Sequence, residues 1–138
     1  MKYQILEHPA ELRLRIYGKT LEELFKNAAF ALAEILKHDA EKILKNSELK
    51  PKTQKLKTKS VDINSLLVDF LSEILARSQI SKFVFQVSSL KFEDTSLEAE
   101  LIGFPVERFD EDIKAVTYQD LNIQKIDGIW QTILVFDI

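Results

Sequence analysis

The segment Ile129-Trp130-Gln131-Thr132-Ile133-Leu134-Val135-Phe136-Asp137-Ile138 limits the folds open to this chain more than any other stretch. In a strand, successive side chains point to opposite faces. Ile133, Val135 and Asp137 therefore share one face, and Leu134, Phe136 and Ile138 share the other. Both faces are apolar up to Asp137, so the strand is expected to be covered on both sides. The Asp137 side chain and the terminal carboxylate of Ile138 then sit side by side at the edge of a core. Like charges held that close repel unless a cation separates them. A lysine, a metal ion or a group supplied by a partner is expected there; a solvated strand end is the plain alternative.

Two helical stripes supply the cover. Thr20-Leu21-Glu22-Glu23 is a capping box. Leu21, Leu24, Phe25, Ala28, Ala29, Leu32, Ile35 and Leu36 then recur at helical spacing and predict a helix over Leu21–Lys37. Asp62 caps a second helix, Ile63–Arg77, with Leu66, Leu67, Phe70, Leu71, Ile74 and Leu75 on one side. Two such helices need a shared sheet.

Strands are predicted at Tyr3–Glu7 and at Glu11–Tyr17, where Leu12, Leu14 and Ile16 alternate with Glu11, Arg13 and Arg15. His8-Pro9 separates these two. Residues Asn46–Pro51 read as a loop, and Thr53–Val61 as an edge strand guarded by lysines. Phe83–Phe92 and Leu97–Leu101 read as a pair joined by Asp94-Thr95-Ser96, with Gly103-Phe104-Pro105 as an interruption. Lys114–Tyr118 is a further strand, and Leu121–Ile126 and Ile129–Ile138 form a hairpin about Asp127-Gly128. The expected fold is α+β: two helices packed on a mainly antiparallel sheet of six or seven strands, in one domain spanning 1–138.

Composition narrows the chemistry. The chain has no cysteine, which excludes disulfides, thiolate zinc sites and cysteine nucleophiles. Its two histidines, His8 and His38, are too few for a multi-histidine metal site, and its three glycines are isolated, so there is no phosphate-binding loop. No apolar run is long enough for a membrane span and no signal-peptide pattern opens the chain, so a cytoplasmic protein without membrane attachment is expected. A net charge of −3 argues against generic nucleic-acid binding. Charge is nevertheless blocked: seven lysines fall between Glu41 and Lys59, and eight acids between Glu93 and Asp112. Such blocks are solvated faces or surfaces that steer a charged partner.

What remains is an oxygen-donor cluster. Glu11, Asp137 and the Ile138 carboxylate are hard ligands of the kind Ca²⁺ or Mg²⁺ takes, too few to complete a shell without waters or a partner. Alternatively, Glu11 pairs with Arg13, Arg15 or a nearby lysine on a solvated face.

Several strings, in order, resemble one family: Leu6-Glu7-His8-Pro9-Ala10-Glu11, Tyr17-Gly18-Lys19-Thr20-Leu21-Glu22-Glu23-Leu24-Phe25, Leu66-Leu67-Val68-Asp69-Phe70-Leu71-Ser72-Glu73, Lys114-Ala115-Val116-Thr117-Tyr118-Gln119-Asp120-Leu121, and Asp137-Ile138. Together they are similar to archease, over essentially the whole chain. The resemblance implies a small, non-enzymatic activator of the tRNA-splicing RNA ligase, the enzyme that joins ends through a guanylylated histidine. It implies promotion of guanylylation and multiple turnover, with RNA met only indirectly. It places a divalent-metal site (Ca²⁺, or Mg²⁺/Mn²⁺) on Glu11, Asp137 and Ile138, and a partner-activating role on Lys114. Pro9 and Glu11 replace the threonine and aspartate of the family's motif, and Gln119 stands where histidine is common. A monomer is expected. A stand-alone metal-dependent hydrolase, a general chaperone or adaptor acting through the lysine block, and a single-strand RNA binder are the competing readings.

Overall fold

A computed structural model describes residues 1–6, 11–45 and 50–138. In chain order its elements are β1 (Tyr3–Leu6), β2 (Glu11–Gly18), α1 (Leu21–Leu36), α2 (Ala40–Leu44), β3 (Lys52–Lys59), α3 (Ile63–Ser81), β4 (Phe83–Glu93), β5 (Ser96–Pro105), β6 (Ala115–Thr117), β7 (Gln124–Ile126) and β8 (Ile129–Asp137). The turn expected at His8-Pro9, and the part of the Asn46–Pro51 loop at 46–49, lie outside the described residues. Among the described residues no helix is long and apolar enough to cross a membrane.

The α+β class holds, with eight strands among the described residues divided between two antiparallel sheets where one sheet of six or seven was expected. The first runs β1-β2-β8-β6, and β7 also pairs with β8. The second runs β3-β5-β4. Alternation along a strand reports which residues are covered and is silent about which strand lies alongside, so the division was not visible in the pattern. Both sheets turn their apolar faces to the same pair of helices. Leu14, Ile16, Leu134 and Phe136 from one sheet, and Leu56, Phe85, Leu97 and Leu101 from the other, share a single buried cluster with α1 and α3.

Phe25 ties these layers. It is fully buried on α1, meets Phe92 of β4 edge-on at 4.9 Å and lies 5.8 Å from Phe70 of α3. The helix starts follow the local signals. Thr20 accepts from the Glu23 N–H at 3.1 Å, while the Glu23 carboxylate reaches back to the N–H of Lys19, one residue earlier than a standard box. Asp62 accepts from the Ser65 N–H at 2.7 Å, and α3 runs a turn beyond Arg77 before Lys82 ends it at φ 56°.

Three local expectations need revision. Gly103-Phe104-Pro105 does not interrupt β5: the strand runs on to pair Pro105 with Phe83. Gly103 is there for close approach, since a Cβ would lie 2.6 Å from the Phe85 ring and 2.7 Å from the Phe83 ring. Residues Leu121–Ile123 lie outside the hairpin ladder. Their backbone is held by side chains instead, Asn122 N–H on Thr132 Oγ1 at 3.1 Å and Ile123 N–H on Asn64 Oδ1 at 2.8 Å. The Asp127-Gly128 turn itself forms as expected, with φ 51° and 80° in the two central residues. Finally, β8 is packed by helices on one face alone. Its second face belongs to a polar surface that carries Arg13, Arg15, Tyr17 and Gln131.

Two outcomes follow from this packing. Phe25→Ala should cost about 3–5 kcal/mol in urea unfolding. The bond from the Ser65 N–H holds the Asp62 carboxyl below its usual range. Its contribution is complete above the unfolded value of about 3.9 and is lost as pH falls through the lower folded value. Asp62→Asn, which keeps a cap, should match the parent at pH 7 and show a shallower loss of stability below pH 4.

Candidate functional site

The register of β2 on β8 builds the site. The ladder pairs Glu11 with Asp137, Leu12 with Phe136 and Arg13 with Val135, and so on to Gly18 with Trp130. Because the side-chain period is two, the register that turns Leu12 and Leu14 to the core opposite Phe136 and Leu134 also places Glu11 and Asp137 side by side on the opposite face. Directly opposed residues have Cβ atoms about 4.5–5.5 Å apart, and like charges there are destabilising. The two carboxylates brought together in the sequence analysis are thus brought together by the fold. Asp137 is exposed, so the pair sits on a solvated strand end next to the core.

On the far side of β8, β6 contributes Ala115 opposite Asp137. The Lys114 N–H donates to the Asp137 carbonyl at 2.7 Å, which seats the exposed Lys114 at the same strand end. Ile138 follows Asp137 and is 40% exposed. All four residues singled out in the sequence therefore lie at one end of the first sheet.

Side chains from the turn after β6 and along β2 and β8 extend this face. Gln119 Nε2 donates to Glu11 Oε1 at 3.4 Å. Two positions that depart from the resembling motifs, Glu11 and Gln119, are thus in contact. Arg13 pairs with Asp120 at 2.5 Å, and Arg15 donates to Gln131 at 3.4 Å. The outward placing of Arg13 was legible from the alternation. Its partner 107 positions away was not, because no local spacing links them.

Two acidic residues occupy directly opposed positions of the ladder beside a glutamine side chain, oxygen donors of the type a hard divalent cation takes. Among the described residues no group of three or more histidine, cysteine, aspartate or glutamate side chains is gathered to hold a metal. A cation held by Glu11 and Asp137 would need further oxygens from water or a partner.

The charge blocks have a different arrangement. On the outer face of the second sheet, Lys55 and Lys57 of β3 oppose Glu100 and Glu98 of β5, and Lys91 of β4 opposes Glu98 from the other side. Lys57 bonds Glu98 at 2.9 Å and holds that carboxyl below its usual range. Lys55 and Lys57 therefore stand opposite the β5 acids on a solvated face.

The Archease protein family (MTH1598/TM1083) model matches residues 3–138. The chain is 37% identical to protein archease of Methanosarcina mazei over 146 residues, covering 99% of this chain and 96% of that one. It is 33% identical to protein archease of Pyrococcus abyssi, covering 99% of each. Its fold is similar to the solution structure of Methanobacterium thermoautotrophicum protein 1598, with TM-score 0.76, 24% identity and 99% of both chains covered. It is also similar to the crystal structure of a Thermotoga maritima archease, described as a possible chaperone, with TM-score 0.69, 20% identity and coverage of 96% and 94%.

The opposed carboxylates make a stability test. Asp137→Asn should stabilise the protein in chelator by roughly 0.2–1 kcal/mol, by removing one of two like charges at directly opposed positions. Millimolar Mn²⁺ should raise the melting temperature of the parent and leave that of the variant where it was.

Proposed function

The chain belongs to the archease family, and on that premise we propose that it is an activator of the tRNA-splicing RNA ligase, promoting ligase guanylylation and multiple turnover without being the ligase. The observation that carries the reading is the opposition of Glu11 and Asp137 at the end of the β2–β8 ladder, with Lys114 at the same end.

The residues have distinct tasks in this reading. Glu11, Asp137 and the Ile138 carboxylate hold a divalent ion that, when bound, supplies positive charge toward a nucleotide's phosphates. Lys114 is a second point charge on a flexible stem and draws the same phosphates. Tyr118 and Ile138, 58% and 40% exposed, offer apolar contacts to the ligase surface. Transfer at phosphorus depends mainly on positioning and on neutralising charge. A domain that adds charge and order at the mouth of another protein's active site can therefore accelerate the step without a nucleophile of its own.

A second reading, a general chaperone or adaptor, is favoured by the description of the Thermotoga relative and by the exposed lysine-bearing face of the β3-β5-β4 sheet. Ligase–guanylate adduct formed over time, at fixed Mg²⁺ and Mn²⁺, separates the two. Substoichiometric protein should speed re-guanylylation, and Asp137→Ala or Lys114→Ala should lower that effect about tenfold or more with near-ultraviolet circular dichroism unchanged. Equal adduct formation with the parent, with Asp137→Ala and with no added protein would contradict the activator reading and favour the adaptor.

A further inference from the structure

Val135 is fully buried although it lies on the polar face of the first sheet. Its row reads Arg13 on β2, Val135 on β8 and Thr117 on β6. Asp120 comes three residues after Thr117, and the Arg13 guanidinium reaches it at 2.5 Å. The ion pair therefore spans β8, and the aliphatic stem of Arg13 helps cover Val135. The neighbouring row reads Glu11, Asp137 and Ala115. Here the bond from Gln119 Nε2 to Glu11 Oε1 spans β8 in the same direction. Consecutive residues, Gln119 and Asp120, thus strap one turn to two consecutive outward positions of β2.

The turn is formed for this. Asp120 has φ 57°, a conformation that aspartate tolerates better than most residues. The Leu121 N–H closes the turn on the Tyr118 carbonyl at 3.2 Å, and the Gln119 N–H is held by Thr117 Oγ1 at 3.3 Å. A glutamate side chain loses substantial rotamer freedom when fixed. A neighbour that holds it beforehand reduces that loss at the moment of binding.

We propose that the Arg13–Asp120 pair latches the Tyr118–Leu121 turn across β8, and that this makes Gln119 a positioning residue that holds the Glu11 carboxylate over Asp137. The inference rests on the reading of Glu11 and Asp137 as a cation-holding pair, and it deepens that reading by naming what orients the longer side chain.

The test uses ¹⁵N-labelled protein, first in chelator and then titrated with Mn²⁺. Asp120→Gly removes the carboxylate and suits the backbone angle. Arg13→Met removes the charge and keeps the stem. In either variant the Gln119 side-chain amide should move to the position of a solvated glutamine, and the Leu121 N–H should exchange at least about tenfold faster. Mn²⁺ affinity should fall about tenfold. Gln119→Ala should lose the same affinity with Leu121 exchange unchanged, and Arg13→Lys should recover part of it. If the Gln119 amide and Leu121 exchange are the same in Asp120→Gly as in the parent, the latch is wrong. If they change while Asp120→Gly and Gln119→Ala bind Mn²⁺ as the parent does and Asp137→Ala does not, the positioning role is wrong. If Asp137→Ala also binds as the parent does, the cation reading fails, and the latch is judged on the amide signals in chelator alone.

Discussion

The antiparallel ladder between β2 and β8 is the constraint on which the rest of this molecule depends. It pairs residues Glu11–Gly18 with Trp130–Asp137 without a register shift. Every other part of the first sheet attaches to one of these two strands: β1 to β2, and β6 and β7 to the far edge of β8. The first helix is fastened to the same unit by Asn27, whose amide donates to the Tyr17 carbonyl at 2.7 Å. A slip of one residue would turn Leu14, Ile16, Leu134 and Phe136 out of the core, so burial fixes the register strongly. That fixed register also forces Glu11 against Asp137. Two acidic residues are tolerated opposite one another at the strand end because the apolar pairs beside them leave no alternative pairing.

Much of this architecture is legible in the sequence where one local rule decides. The capping signals at Thr20 and Asp62, the stripes beneath them, the alternation of Leu12, Leu14 and Ile16 and the Asp127-Gly128 turn each specify a short stretch, and each is found in place. In β4 the buried positions pass from Phe85 and Val87 to Leu90, a change of parity that corresponds to a bulge between Val87 and Ser89. The division into two sheets is not local. It depends on β3 choosing β5, with Leu56 opposite Ala99 and Lys57 opposite Glu98, across more than forty residues of chain. The small helix α2 was missed for a related reason. Five residues carry too little periodicity, and its one buried anchor, Ala40, packs in a side cluster with Ala33, Val84 and Phe104.

The candidate site divides in the same way. Glu11 and Asp137 were reached from the strand ends and from the resemblance, and Lys114 from the resemblance alone. Gln119, Arg13 and Asp120 acquire meaning through contacts about a hundred positions apart. Asp137 was expected at the edge of a strand covered on both faces. The second face of β8 is covered at Val135, but at the strand end Asp137 is open to solvent. An open pair suits a site completed by another molecule better than a closed structural metal centre.

Paramagnetic broadening by Mn²⁺ in a ¹H–¹⁵N spectrum of the whole chain locates a bound cation without reference to activity. At substoichiometric Mn²⁺, signals from Glu11, Ala115, Gln119 and Asp137 should broaden first, and Asp137→Ala should remove the effect. Broadening that begins instead around the acidic stretch Glu107–Asp112, or that persists unchanged in Asp137→Ala, would contradict the claim that the β2–β8 register builds a cation site.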